Sequence, residues 1–267
     1  AFWPDGTACL AVAPSLVTYS FDGLGWNLMA GLVGVTNVQG LQLRVGATGR
    51  LWLAGFKAGA IDTTVVFSKT LSGNWLAHSS MNGRLLDFEL DEFGEPVVLL
   101  SQATAILHYH NGIWSPLTSF DYPDEDYFAL QMLYDGSGVG AMVLRRDTSN
   151  GITAEQLSFG TWSQMGTAGF ATGDMADLGM SLSGIAHAVV VDHAQGGPPR
   201  AYEFVAGNWQ FLGGQSVYNN TVSQPQWAFD PAAAYLVFSD DEENSRNSVV
   251  YLGTPSSAEG QVSASYL

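Results

Sequence analysis

The sequence has only one cysteine, Cys9, among 267 residues, so no internal disulfide can form. Cys9 lies in the mostly apolar run Ala8-Cys9-Leu10-Ala11-Val12 and reads as a small buried hydrophobe. Cations are scarce: nine Lys and Arg stand against 25 Asp and Glu, a formal net charge of −16. That balance argues against nucleic-acid binding, which needs clustered Lys and Arg, and against docking on anionic lipid. No apolar run reaches the roughly 18 residues of a membrane-spanning helix, so membrane insertion is not expected. No segment of useful length carries the 3.6-residue apolar period of a helix. A P-loop, a GxSxG elbow and an HExxH pair are also missing, so the sequence carries no signal for those chemistries.

What is plentiful is glycine, 31 residues, and aromatic side chains at 12%. They combine into a repeat. Tryptophan follows glycine in Gly23-Leu24-Gly25-Trp26, Gly73-Asn74-Trp75, Gly112-Ile113-Trp114, Gly160-Thr161-Trp162 and Gly207-Asn208-Trp209. The Trp-to-Trp intervals are 49, 39, 48 and 47 residues. A period of roughly 40–50 residues marks a propeller or another repeat array.

The unit is clearest from Leu85 to Leu117. Leu86-Asp87-Phe88-Glu89-Leu90 alternates apolar and polar, as a half-buried strand does. The turn Asp91-Glu92-Phe93-Gly94-Glu95-Pro96 leads to Val97-Val98-Leu99-Leu100, a run suited to a strand buried on both faces. Ala105–His110 is a third strand, Asn111-Gly112 a hairpin turn, and Ile113-Trp114-Ser115-Pro116-Leu117 a fourth strand. Four antiparallel strands in succession make one propeller blade. The order recurs along the chain and predicts an all-β fold, a single six-bladed β-propeller of four-stranded antiparallel blades over residues 1–267. The expected blades are 1–34, 35–81, 82–120, 121–168, 169–215 and 216–267. Ala1-Phe2-Trp3 is a poor first strand, and Val262–Leu267 is a candidate last one, expected beside the N-terminal blade.

The repeated Trp26, Trp75, Trp114, Trp162 and Trp209 read as spacers that pack blade on blade. Aromatics that break the repeat are the better ligand candidates: Trp52, Tyr122, Tyr127, Tyr218 and Trp227. Tyr122 and Tyr127 flank an acidic stretch, so Asp124 and Asp126 join them as candidate ligand contacts. Asp121, Asp124 and Asp126 are also a candidate Ca²⁺ site, since clustered carboxylates hold calcium through several oxygens. A second acidic loop runs through Asp240-Asp241-Glu242-Glu243-Asn244. Asn219-Asn220-Thr221 is an N-glycosylation sequon. His108 and His110 share a strand face, but no acidic partner is evident beside them, and they read as ordinary exposed histidines. Arg145-Arg146 reads as a strand end meeting solvent. No catalytic residue is assigned.

Ser20-Phe21-Asp22-Gly23-Leu24-Gly25-Trp26 resembles the Asp-box of sialidase-type propellers, S-x-D-x-G-x-T-W, one residue short and without the Thr. That resemblance implies a structural turn rather than an activity. The segments Trp162–Phe170 and Asn208–Gly213 are similar to the degenerate G-x-W repeats of bacterial cell-surface propellers. That resemblance implies an extracellular or cell-surface location.

The expected function is a non-catalytic, lectin-like binding module for a glycan or an extracellular protein. The alternatives are a structural module of a larger extracellular or filament protein, or a glycosidase or lyase with an axial-funnel site. An acidic, Lys-poor surface suits a secreted or high-salt setting, or serves solubility alone. A start at Ala1 without methionine leads to the expectation of processing, or of excision from a longer polypeptide or assembly.

Overall fold

A computed structural model describes residues 1, 3, 5, 7–12, 16–29, 32, 35–70, 73–101, 105–120, 126–134, 139–181, 183–195, 198–212, 222–229, 234–240, 247–253 and 264–266. These residues form six antiparallel sheets and one short 3₁₀ turn, His193–Gln195. By its contacts the chain divides into two compact units, Ala1–Asp124 and Glu125–Leu267. None of the described helices is long and apolar enough to cross a membrane.

In the first unit, sheet 1 holds β1 (Ala8–Val12), β2 (Val17–Phe21) and β3 (Trp26–Leu28). Sheet 2 holds β4 (Val38–Val45), β5 (Leu51–Lys57), β6 (Thr63–Lys69) and β7 (Leu76–Ala77), with β8 (Met81–Asn82) also on β6. Sheet 3 holds β9 (Leu85–Leu90), β10 (Pro96–Leu100), β11 (Ala105–His110) and β12 (Ile113–Ser119).

In the second unit, sheet 4 runs β13 (Asp126–Tyr134), β14 (Val139–Arg146), β15 (Gly151–Ser158) and β16 (Thr161–Met165). The short β17 (Ala171–Thr172) returns to pair with β15, although it lies past the boundary expected at residue 168. Sheet 5 holds β18 (Met175–Met180), β19 (Ala186–Val191), β20 (Pro199–Val205) and β21 (Asn208–Phe211). Sheet 6 holds β22 (Val222–Phe229), β23 (Ala234–Asp240), β24 (Asn247–Gly253) and β25 (Ala264–Tyr266). Thus the C-terminal segment supplies the fourth strand of its own sheet, pairing Tyr251 with Ala264.

In sheets 2, 3 and 5 the second strand is the buried one. Every residue of β10 and β19 is buried, and so are the first six of β5. These are the continuous apolar runs, and a strand covered on both faces needs apolar residues at every position. The last strands are open: β3 is wholly exposed, and β21 nearly so. In sheets 3, 4 and 5 the hairpin into the last strand uses left-handed backbone. Asn111-Gly112 has φ of 51° and 87°, and Phe159-Gly160 and Ala206-Gly207 take the same pair of signs. This is the geometry of the type I′ hairpin, and it is why glycine recurs ahead of the tryptophan. In sheet 1, Asp22 closes the corresponding turn, its Oδ1 accepting from the N–H groups of Leu24 and Gly25, both at 2.9 Å. The Asp-box-like turn is therefore built as the resemblance implied.

Neighbouring sheets inside each unit are joined by recurring ties. Phe88 N–H on β9 donates to Gln42 Oε1 on β4 at 3.1 Å, and Trp227 N–H on β22 donates to Asp177 Oδ2 on β18 at 2.9 Å. A second tie uses indoles. Trp3 Nε1 donates to the Gly49 carbonyl at 3.0 Å, and Trp52 Nε1 to the Gly94 carbonyl at 2.9 Å. Trp52 is therefore periodic after all: its counterpart is Trp3, 49 residues earlier.

Two apolar clusters join neighbouring sheets. One packs Trp52, Phe56 and Val66 of sheet 2 on Phe88, Leu90 and Val98 of sheet 3, with Trp114 against it. The other packs Met142, Leu144 and Ile152 of sheet 4 on Leu178, Ala188 and Val190 of sheet 5, with Trp209 against it. Arg145 corrects one expectation. It is buried, not at a solvent-facing strand end, and its Nε donates to Glu155 Oε1 at 2.7 Å.

Candidate functional site

Of the residues singled out from sequence, Asp121, Tyr122, Asp124, Tyr218 and Asn219 lie outside the described residues, as does 241–246 of the second acidic loop. Asp126 opens β13, is exposed, and pairs with Arg146, whose guanidinium also lies over the Phe128 ring. Trp52 and Tyr127 are buried, at 1% and 4% exposure. Neither ring has a face open to a ligand, which corrects their reading as ligand contacts. Trp52 fills a position in the doubly covered second strand, where ring area buys core packing. Of the repeat tryptophans, Trp162 is buried, and Trp75, Trp114 and Trp209 are half-buried against core clusters. Trp209 Nε1 reaches across to the Met165 carbonyl of sheet 4 at 3.1 Å. Trp26 differs: it is half-exposed and tilted against Phe21.

Among the described residues, Trp227 is the aromatic candidate from the sequence that is half-buried rather than buried. It lies 18° from parallel with Phe229 at 5.7 Å between centroids, and both rings pack on His187 of β19. Gly179 makes room for them, since a Cβ there would fall 2.4 Å from Phe229 and 2.7 Å from the Trp227 Cβ. Neither His187 ring nitrogen nor Trp227 Nε1 has a hydrogen-bond partner among the described residues. Burial pushes the His187 imidazole down to about 4. Its folded value lies below its unfolded one, so the unfolded chain binds the extra proton between them. Stability is therefore retained above pH ~6.5 and falls as the pH drops toward ~4, by on the order of 3 kcal/mol. Denaturation of wild type and His187→Gln across that window should show the pH slope shrinking in the variant. Equal slopes would refute it.

Sequence reasoning missed two polar groupings in the first unit. In one, Ser68 Oγ lies 2.8 Å from His78 Nε2, and His78 Nδ1 lies 2.8 Å from the Tyr109 hydroxyl. The His78 imidazole is pushed down, first by burial and then by Arg50. In the other, His108 Nε2 meets Asp91 Oδ2 at 2.8 Å, and His110 Nδ1 meets Glu95 Oε2 at 2.6 Å. The acids that seemed absent come from the β9–β10 turn. Pairing of β10 with β11 sets Val97 opposite His108, which carries Glu95 to His110 two residues on. A D-x-x-G turn four residues ahead of a Glu was the available signal, but only strand pairing puts it beside the histidines. Among the described residues, Asp91, Glu95 and His108 are the grouping whose ligand atoms all lie within 4.8 Å of one another.

The sheets, their strand order and the inter-sheet ties are those of a β-propeller protein. No protein-family profile and no curated protein sequence matches the chain. Solved propeller-type structures do match. An ulvan lyase, a polysaccharide lyase solved bound to -[GlcA(1-4)Rha3S]-, matches with a TM-score of 0.64 at 10% identity, over 98% of this chain and 81% of that one. The SapL1 lectin in complex with alpha methyl fucoside matches at 0.63 and 12% identity, over 100% and 95%. TolB from Acinetobacter baumannii matches at 0.59 and 12% identity, over 96% and 64%. At these identities the likeness is one of fold.

Proposed function

We propose that this chain is an extracellular or cell-surface β-propeller module that binds a glycan, without catalysing its cleavage. The reading takes residues 1–267 as one six-bladed propeller, which the six sheets support. The observation that carries it is Trp227: a half-buried aromatic backed by Phe229, its backbone N–H held by Asp177 at 2.9 Å. A rigid ring face complements the apolar C–H face of a pyranose, and polar groups beside such a ring fix the sugar's orientation. Two of the propellers alike in fold, a lectin and a polysaccharide lyase, were solved with sugars. Trp227→Ala is expected to weaken glycan binding at least about tenfold, read by titration of the best array hit. A silent glycan array would overturn the proposal in favour of a protein partner or a structural module. Unchanged affinity in Trp227→Ala would remove Trp227 from it.

A lyase or glycosidase is the second reading, favoured by the Ser68–His78–Tyr109 chain. A neutral imidazole between two hydroxyls is an arrangement suited to moving a proton. Absence of turnover on uronate-containing polysaccharides, in a protein that binds them, would eliminate it.

A further inference from the structure

We infer that Asp91, Glu95, His108 and His110 form a binding site for a divalent transition-metal cation of the zinc type. This inference is independent of the glycan reading and uses different residues.

The chemistry of the four groups comes first. Two imidazoles and two carboxylates are ligands that zinc takes, at about 2.0–2.2 Å each. Calcium and magnesium select oxygen, so the imidazoles argue for the transition metal. Around a tetrahedral ion such ligands stand about 3.4 Å apart. One ligand atom each from Asp91, Glu95 and His108 already lie within 4.8 Å. Small side-chain rotations bring them onto one centre. His110, whose Nδ1 faces Glu95, supplies the fourth ligand.

The scaffold holds these groups before any cation arrives. Asp91 Oδ1 is occupied by two backbone donors, Phe93 N–H at 2.9 Å and Glu95 N–H at 2.7 Å. That leaves Oδ2 pointing at His108. The turn is closed by Asp91 N–H to the Glu95 carbonyl at 2.8 Å and Gly94 N–H to the Asp91 carbonyl at 3.0 Å. Gly94 adopts φ of 78° there and packs on Gly46 of the β4–β5 turn, where a Cβ would come within 3.4 Å of the Gly46 Cα. Its carbonyl also takes the Trp52 indole N–H. The histidines lie two residues apart on β11 with rings 5.9 Å between centroids. All four ligands therefore sit on paired strands or a fixed turn, as a preorganised site requires. The short imidazole–carboxylate contacts mark where the cation enters, the metal replacing the shared proton.

The Asp91 and His108 side chains are largely buried, at 5% and 15% exposure, while His110 is 56% exposed. The cation would bind from the His110 side and link the β9–β10 turn to β11. In a chain with one cysteine, that is a cross-link no disulfide supplies.

The test uses the full chain, tag-free and dialysed against EDTA, titrated with ZnCl₂ at pH 7.5 by calorimetry. One equivalent should bind, and the unfolding midpoint should rise by about 5 °C at a hundredfold excess over Kd. His108→Ala and Glu95→Gln should each weaken binding at least about tenfold, and Glu92→Gln, an exposed neighbour in the turn, should leave it unchanged. Circular dichroism establishes that each variant is folded. Cobalt substitution should give the intense visible bands of tetrahedral coordination in wild type and lose them in His110→Ala. Weak, unsaturable zinc uptake would overturn the inference, and so would wild-type affinity in folded Glu95→Gln and His108→Ala proteins.

Discussion

Replacing Arg145 by methionine is expected to destabilise the protein by about 3–5 kcal/mol, among the largest single losses available in this chain. Arg145 lies on β14 opposite Thr153 of β15, and Glu155 is two residues further along β15, on the same face. The side chains are 8% and 5% exposed, with Nε and Oε1 at 2.7 Å. Removing the guanidinium takes the 2.7 Å partner away from a carboxylate that is 5% exposed. Removing both charges leaves no such carboxylate. Arg145→Met/Glu155→Leu should therefore recover most of the loss, because a buried pair contributes little over apolar residues of similar volume. Urea denaturation of both singles and the double closes the cycle. A single-variant cost under about 1 kcal/mol would mean that other groups hold Glu155 when Arg145 is gone.

Trp52→Ala is expected to cost a further about 3–5 kcal/mol on its own. The indole is 1% exposed and packs near His78 and Tyr109, at 5.0 and 6.0 Å between ring centroids. Its N–H is the donor to Gly94. Alanine leaves a cavity between sheets 2 and 3 and removes the donor from a turn carbonyl. Trp52→Phe keeps most of the ring and should cost roughly half as much, the bond remaining lost. Glycan affinity per folded molecule should be unchanged in both variants. A specific loss of affinity in folded Trp52→Phe would restore Trp52 as a ligand contact and refute its assignment to the core.

Trp52 also shows where the sequence was legible and where it was not. Second strands stand out because a doubly covered strand is apolar at every position, as in Val97-Val98-Leu99-Leu100 and Ala188-Val189-Val190-Val191. The hairpins stand out because Asn111-Gly112 satisfies a backbone requirement that is local. Trp52 is written inside such a run, but its ring was assigned by its absence from the Gly-Trp pattern. Its real partner in the repeat, Trp3, precedes the first strand, and only the two parallel indole bonds reveal the equivalence. Arg145 looked like a strand end because adjacent arginines favour solvent. Its buried partner is Glu155, ten residues away and brought near by the β14–β15 register.

The proposed metal site follows the same division. Asp91 to Glu95 is legible as a turn, and His108 and His110 as one face of a strand. Their meeting depends on pairing between β10 and β11, which no local pattern encodes. The sequence by itself determined the elements: strands of period two, left-handed hairpins, a repeat of 39 to 49 residues and an acidic, cation-poor composition. These follow from backbone sterics and from whether each position meets water, both read within a few residues. The tertiary structure alone decided which polar groups meet. Side chains from separate strands come within 3 Å only once hydrogen-bonded register and sheet packing have fixed their positions.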